Sequence, residues 1–325
     1  MDSRHRFLET MRYGAPDRVP YFEEGIREEV VESWRGQGLP AGMDPADLFP
    51  ADRREEIQAD MEPRPKLSDW PESTDELDTF RLRLDPEDPK RLPDDWEAKV
   101  EGWRTRDHPL LLRVHRGFFL TLGVYGWDRF ADVMLRTVDD PPLVSGFMRI
   151  QGEFAARLAE RVLEETTVDA AVFSEPIGGN TGPLISPAMY ESYALESYEP
   201  LLDVLKRFGV AIVVFRTYAN ARILLPRLLD RGFNTLWACE ATVAEMDYRA
   251  IRREFGRDLR LIGGIDLDAL RRGKEAVRRE VEEKVPPLLE QGGYVPLADG
   301  RVREDVPFAA YAYYRELLDR VIRDA

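Results

Sequence analysis

The chain has 325 residues, 43% hydrophobic and 33% charged, a composition able to bury one large α/β barrel or two ordinary domains. Its 46 Lys plus Arg against 61 Asp plus Glu give a net charge of −15, which argues against nucleic acid, because a phosphate backbone needs a basic surface. A single cysteine, Cys239, excludes an internal disulfide and any all-cysteine metal site within one chain.

Taken in chain order, the charged start from Met1 to Arg6 shows no secretory apolar region. No run nears the roughly 18 apolar residues of a membrane helix, so a cytoplasmic protein without membrane contact is expected. Arg18 to Glu23 is the first expected strand. The stretch from about 43 to 107, rich in Pro, Asp, Glu and Arg, reads as an irregular insertion covering part of the fold. It contains a second expected strand, Glu55 to Met61, and the alternation of Phe80, Leu82 and Leu84, which predicts an accessory hairpin strand. Leu110 to His115 is the third strand. Pro141-Pro142 suits the start of a helix whose apolar residues recur three or four apart from Leu143 to Val162.

Five short apolar runs follow: Ala170 to Phe173, Ala211 to Phe215, Thr235 to Cys239, Leu259 to Ile262 and Tyr294 to Leu297. Runs this short, with no polar alternation, are the mark of strands buried on both faces of a parallel sheet. Tyr311, Tyr314, Leu318 and Val321 form one stripe of a final helix entered near Pro307. Strands alternating with helices to a count of eight predict an α/β fold, a single (β/α)8 TIM barrel over residues 1–325. An open doubly wound sheet is the alternative, but no Gly-x-Gly-x-x-Gly follows any strand.

In such a barrel the chemistry sits at the carboxyl ends of the strands. The residues expected there are Glu23-Glu24, Asp60, His115-Arg116, Ser174-Glu175, Arg216-Thr217-Tyr218, Cys239-Glu240, Asp266 and Asp299-Gly300-Arg301. A carboxylate directly after a buried run is partly desolvated, which raises its pKa and suits proton transfer. Arg116 and Arg216 offer fork geometry to a substrate anion. The plainer reading is that strand ends meet solvent and that these arginines neutralise Glu175 and Glu240 as structural pairs. No His-x-His, His-x-x-x-His or His-x-Cys pair exists, so no tightly bound metal is expected. Tyr190, Tyr193 and Tyr198 fall on a helix and read as packing, whereas Tyr218 belongs at the site.

Arg6-Phe7-Leu8, Pro16-Asp17-Arg18-Val19-Pro20, the segment Thr181 to Pro187, Leu261 to Asp266 and Gly292 to Pro296 together resemble the uroporphyrinogen decarboxylase superfamily. The resemblance runs along nearly the whole chain and implies a barrel with a deep cleft. It also implies one of two chemistries. The decarboxylase branch removes carboxyl groups without a cofactor and places arginines after the first strand and a histidine near the last. Here those places hold Glu23-Glu24 and Ala298-Asp299. The thiol-methylating branch carries zinc on a His-x-Cys pair, where this chain has Phe215-Arg216-Thr217. These departures favour a zinc-independent methyltransferase, moving a methyl group between a corrinoid (cobalamin) and a small oxygen- or nitrogen-methylated compound. The implied partners are that small substrate, a corrinoid-binding protein supplying the cofactor, and a second copy of the chain. Glu175, Asp266 and Asp299 are then the catalytic candidates, and His115, Arg116, Asn180, Arg216, Tyr218 and Glu240 the substrate-binding ones. A cofactor-free decarboxylase of a carboxylated substrate is the alternative, and a non-catalytic ligand-binding barrel the third reading.

Overall fold

The computed structural model describes residues 1–67, 69–239 and 244–325. Seven strands form one sheet: β1 (Glu55–Gln58), β2 (Leu110–His115), β3 (Ala170–Glu175), β4 (Val213–Tyr218), β5 (Thr235–Cys239), β6 (Arg260–Ile265) and β7 (Tyr294–Ala298). Every neighbouring pair is parallel, and spatial order follows chain order. Helices supply the crossovers that parallel strands require. The helices that frame the sheet and the site include α1 (Ser3–Met11), α2 (Trp127–Asp139), α3 (Pro141–Glu165), α4 (Glu196–Arg207), α5 (Tyr248–Phe255), the short α6 (Leu267–Arg271), α7 (Lys274–Leu289) and α8 (Phe308–Asp324). Pro141 and Pro142 stand in the first turn of α3, where the missing N–H groups have no helical partner to lose.

The sheet is curled. Glu56 on β1 reaches Arg216 on β4 at 2.9 Å although two strands lie between them in sheet order. A flat sheet would hold those strands roughly 14 Å apart, at about 4.8 Å per step. Inside the curl lies an apolar cluster drawn from alternate positions, including Leu111, Val172, Val214, Trp237, Ile262 and Val295. The outward positions pack instead against the helices, in a larger cluster that contains Phe173, Phe215, Tyr198 and Leu201. Phe7 and Met11 of α1 join the inner cluster and close the amino-terminal end of the curl.

Two expectations are corrected. Arg18 to Glu23 forms no ladder, so the described sheet has seven strands and the eight-strand closure is not made. Pro20 has no N–H, the Tyr21 N–H donates to Asp52 Oδ2 at 2.8 Å, and the Arg315 guanidinium donates to the Phe22 carbonyl. Side chains thus take the main-chain groups that a strand would pair. The segment still spans the gap: Tyr21 O accepts from the Asp52 N–H, Gly25 O accepts from the Val302 N–H, and Phe22 enters the inner cluster. The second correction is the hairpin strand expected at Phe80 to Leu84, which is instead the end of a short helix, Leu77–Arg81. Phe80 packs on Phe147 with ring centres 4.9 Å apart, and Leu82 is left 80% exposed, which a buried alternation would not allow.

Among the described residues no helix is long and apolar enough to cross a membrane.

Candidate functional site

The carboxyl-terminal half of the curl carries charge on its inner face. Strand alternation turns Glu56, Arg113 and Arg216 inward, in register with Leu111, Val172 and Trp237 respectively. Glu56 bridges the two arginines. Its Oε1 accepts from Arg113 Nε at 3.0 Å, and its Oε2 accepts from Arg216 Nη1 at 2.9 Å and Nη2 at 3.2 Å. Arg54, one residue before β1, donates to Glu24 Oε1 at 3.2 Å.

The guanidinium carbons of Arg216 and Arg54 lie 4.4 and 4.9 Å from the centre of the Trp237 ring. Weakly hydrated, planar guanidinium suits such stacking, where an ammonium would lose more hydration. Among the described residues three arginines face two glutamates in this group, so one positive charge is left over there. The Arg216 and Arg54 side chains are only 12% and 17% exposed, whereas that of Arg113 is 32% exposed. Gln58 and Tyr218, further along their strands, are exposed, and the end of the curl that they mark is the mouth. An anion entering there would meet fork donors in a partly desolvated setting, where charge-assisted hydrogen bonds are strong.

Of the carboxylates expected at this rim, Glu24 joins the group through Arg54, and the other described ones have partners elsewhere. Glu23 turns outward to the Tyr311 hydroxyl and Arg315 of α8. Asp60 pairs with Arg64 at 2.6 Å. Asp266 caps α6 by accepting the Asp268 N–H, and pairs with Arg272 at 3.2 Å. Asp299 is 2% exposed and accepts the Leu267 N–H at 2.9 Å, so both aspartates hold the start of the same helix. Glu240 lies outside the described residues.

Glu175 points away from the mouth. In β3 it shares the outward side with Ala171 and Phe173 and is fully buried behind the sheet. Oε1 accepts the Phe118 N–H at 2.8 Å, and Oε2 accepts the hydroxyls of Tyr190, at 3.3 Å, and Tyr198. Among the described residues no cation pairs with it. Burial pushes its pKa up to about 7, against the pull of those three donors toward the ionised form. Tyr190 and Tyr198 therefore do more than pack, and burial beside this carboxyl holds both hydroxyls well above their usual pKa.

His115 is buried in the same layer, its ring centre 4.5 Å from that of Tyr198. Nδ1 accepts the Gly117 N–H at 2.9 Å, which leaves the proton of the neutral ring on Nε2. Desolvation, with a smaller contribution from the neighbouring Arg116 charge, lowers its pKa to about 3.

Arg116 belongs to a second polar group at the ends of β1 and β2, paired with Glu62 at 2.7 Å and with the Tyr125 hydroxyl. Asn180 sits exposed in the turn of a small hairpin formed by Gly178–Gly179 and Gly182–Pro183. Of the expected substrate-binding residues that are described, Arg216 enters the inner arginine group. Arg54, Arg113, Glu56 and Trp237 escaped the strand-end reasoning, although a charge at an alternate position within an apolar run marks Arg113.

The model of the family "Uroporphyrinogen decarboxylase (URO-D)" matches residues 122–296, more than half of the chain. The chain belongs to the uroporphyrinogen decarboxylase family. The matched segment contains β3 to β6 and most of β7, with Arg216 and Trp237, whereas Arg54, Glu56 and Arg113 precede it. No curated protein matches this family member. Among solved structures it is similar to xylanase B from Clostridium stercorarium F9, at 11% identity and a TM-score of 0.41, over 93% of this chain and 89% of that one. It is also similar to a uronate isomerase from Bacillus halodurans C-125, at 13% identity and a TM-score of 0.36, over 78% of this chain and 61% of that one. Members of the uroporphyrinogen decarboxylase family are generally enzymes.

Proposed function

We propose that the protein is an enzyme acting on a small carboxylated compound, held by the inner arginine group over Trp237, and that it removes a carboxyl group without a bound metal or cofactor. The observation that carries this reading is the placement of Arg54, Arg113 and Arg216 around Glu56 and Trp237, with one positive charge in excess. Decarboxylation is one of the chemistries that membership of this family is compatible with. Against it stands the acidic rim expected from the sequence, of which Glu23, Glu175 and Asp266 have partners outside the arginine group. A carboxylate seated on Arg216 and Arg113 would place its ring or chain against the indole face, partly out of water. Breaking the carbon–carboxyl bond would release neutral carbon dioxide and leave the electron pair and the negative charge on the substrate carbon, where nearby guanidinium groups stabilise it until it takes a proton from solvent.

Zinc-independent methyl transfer between a corrinoid and a small oxygen- or nitrogen-methylated compound is the second reading. A single surplus charge favours it, since that suits one carboxylate on a small ring better than the several of a porphyrinogen. A corrinoid borne by a partner protein would approach the mouth beside Gln58 and Tyr218. The described inner face offers it no imidazole, His115 being buried behind the sheet. No group of three His, Cys, Asp or Glu among the described residues could hold a metal ion.

The deciding experiment incubates the full chain with a panel of aromatic and aliphatic carboxylates, with and without methylcobalamin. Product separation follows carbon dioxide loss, and absorbance follows the methyl–cobalt bond. Decarboxylated product without cobalamin is expected. Turnover only with methylcobalamin would move the assignment to methyl transfer, and inactivity on all of them together with no carboxylate binding would overturn both.

A further inference from the structure

At the opposite end of the sheet from the mouth, three arginines surround one tyrosine. Tyr13 follows α1 in a left-handed backbone conformation, with φ of 57°, that tyrosine rarely adopts. Its ring lies against Gly293, where a Cβ would stand 2.3 Å from the ring, so glycine is required for the contact. The guanidinium carbons of Arg257, Arg252 and Arg260 lie 4.4, 5.6 and 5.6 Å from the ring centre.

None of the three forms an ion pair with a carboxylate among the described residues. Arg252, 3% exposed, donates to the Tyr13 hydroxyl at 3.2 Å and the Gly293 carbonyl at 3.1 Å, and its buried Nε has no hydrogen-bond partner. Arg260 donates through Nε to the Met11 carbonyl, and Arg257 reaches only the Tyr13 carbonyl, at 3.4 Å. Burial, and to a lesser degree repulsion from Arg257 and Arg260, lowers the pKa of Arg252.

Crowding three uncompensated guanidinium groups is unusual in a chain of net charge −15, where most other arginines have a carboxylate close by. The ring and the carbonyls satisfy part of each guanidinium. They leave the Nη groups of Arg260 and nearly all of Arg257 unengaged at an accessible surface. Of the acidic residues nearest to them in sequence, Glu254 pairs with Arg222, and Asp258 forms no ion pair with either.

We propose that this cluster is an anion site for a phosphate group, gripped by Arg257 and Arg260 and backed by Arg252. A phosphate dianion is favoured over a carboxylate because it neutralises more of the three charges and offers oxygens to two forks at once. The site is distinct from the mouth and independent of the reaction proposed there.

Thermal melts of the full chain would be recorded against inorganic phosphate, phenyl phosphate and sodium chloride at constant ionic strength, with titration calorimetry alongside. A ligand that binds only the folded state raises Tm in a saturable way. The expected result is a saturating rise with phosphate or its monoester and none with chloride, at least tenfold weaker in Arg257→Gln/Arg260→Gln. Single Arg257→Gln, at an exposed position, serves if the double variant does not fold. Response to inorganic phosphate alone would identify the free ion, and response to phenyl phosphate alone a phosphorylated metabolite. Equal responses in parent and variant, or no saturation beyond chloride, would overturn the site.

Discussion

Replacing Glu175 by glutamine tests the account of the buried polar layer behind β3. Glutamine keeps the shape of the protonated acid, its oxygen can still accept from the Phe118 N–H, and its amide can donate to the Tyr190 and Tyr198 hydroxyl oxygens. A carboxyl whose pKa rises from the usual 4.5 to about 7 on folding binds its proton more tightly in the folded state. Its stabilising contribution is complete below pH 4.5 and is lost as the pH rises through about 7. At ~1.4 kcal/mol per pH unit the whole effect is about 3 kcal/mol, and full burial leaves little solvent screening to reduce it. Glu175→Gln does not ionise. Its stability relative to the parent should therefore improve by about 3 kcal/mol between pH 4.5 and pH 8. Urea denaturation of both proteins across that range measures the difference, and taking the difference cancels every other titrating group. A difference that stays constant with pH would refute the reasoning, since it would mean that Glu175 is ionised throughout or shielded from the penalty.

His115 acts in the opposite sense. With a folded pKa near 3, below the ordinary 6.5, it adds stability above pH 6.5 that is lost as the pH falls toward 3. His115→Asn should flatten the acid limb of the stability profile over that interval, read by the same denaturation series. Gly117, at φ of 90°, would place a Cβ 2.5 Å from the Ser174 carbonyl, so Gly117→Ala should cost about 2–4 kcal/mol in thermal or urea unfolding. Arg216→Met keeps the stem that covers Trp237 but removes the fork, and should weaken binding of a benzoate probe at least tenfold in calorimetry while leaving the circular dichroism spectrum unchanged. Arg113→Met should weaken it in the same direction, and the double variant by less than the product of the two, because both arginines share Glu56.

The strands were legible where burial on both faces forces a short apolar run. Leu110–His115 and Thr235–Cys239 match their expected bounds, and the others differ by a few residues at their ends. The first strand was not legible as absent. Its composition is that of a strand, and only the tertiary placement of Asp52 and Arg315 shows where its main-chain groups go. Phe80 to Leu84 misled because a single helical turn and a short alternation share their apolar positions. At the site, strand-end position alone could not separate the two faces of the sheet. Arg216 and Glu175 both follow apolar runs, yet one lies in register with Trp237 inside and the other shares a side with Phe173 outside. Counting alternate residues from Val214 and Phe173 assigns each to its side. The arginine group remained hidden because Arg54 and Glu56 lie in the irregular stretch and reach the other strands only through the curl.

Phe7 and Met11 fill the amino-terminal end of the curl, which leaves the carboxyl-terminal end as the side from which a ligand would reach Trp237. A product that leaves past Gln58 and Tyr218, the way its substrate came, would compete with the next substrate for that passage. A macromolecule resting on that opening would arrest turnover with the product trapped inside, and slow exchange of a bound molecule would then report how tightly the lip is covered.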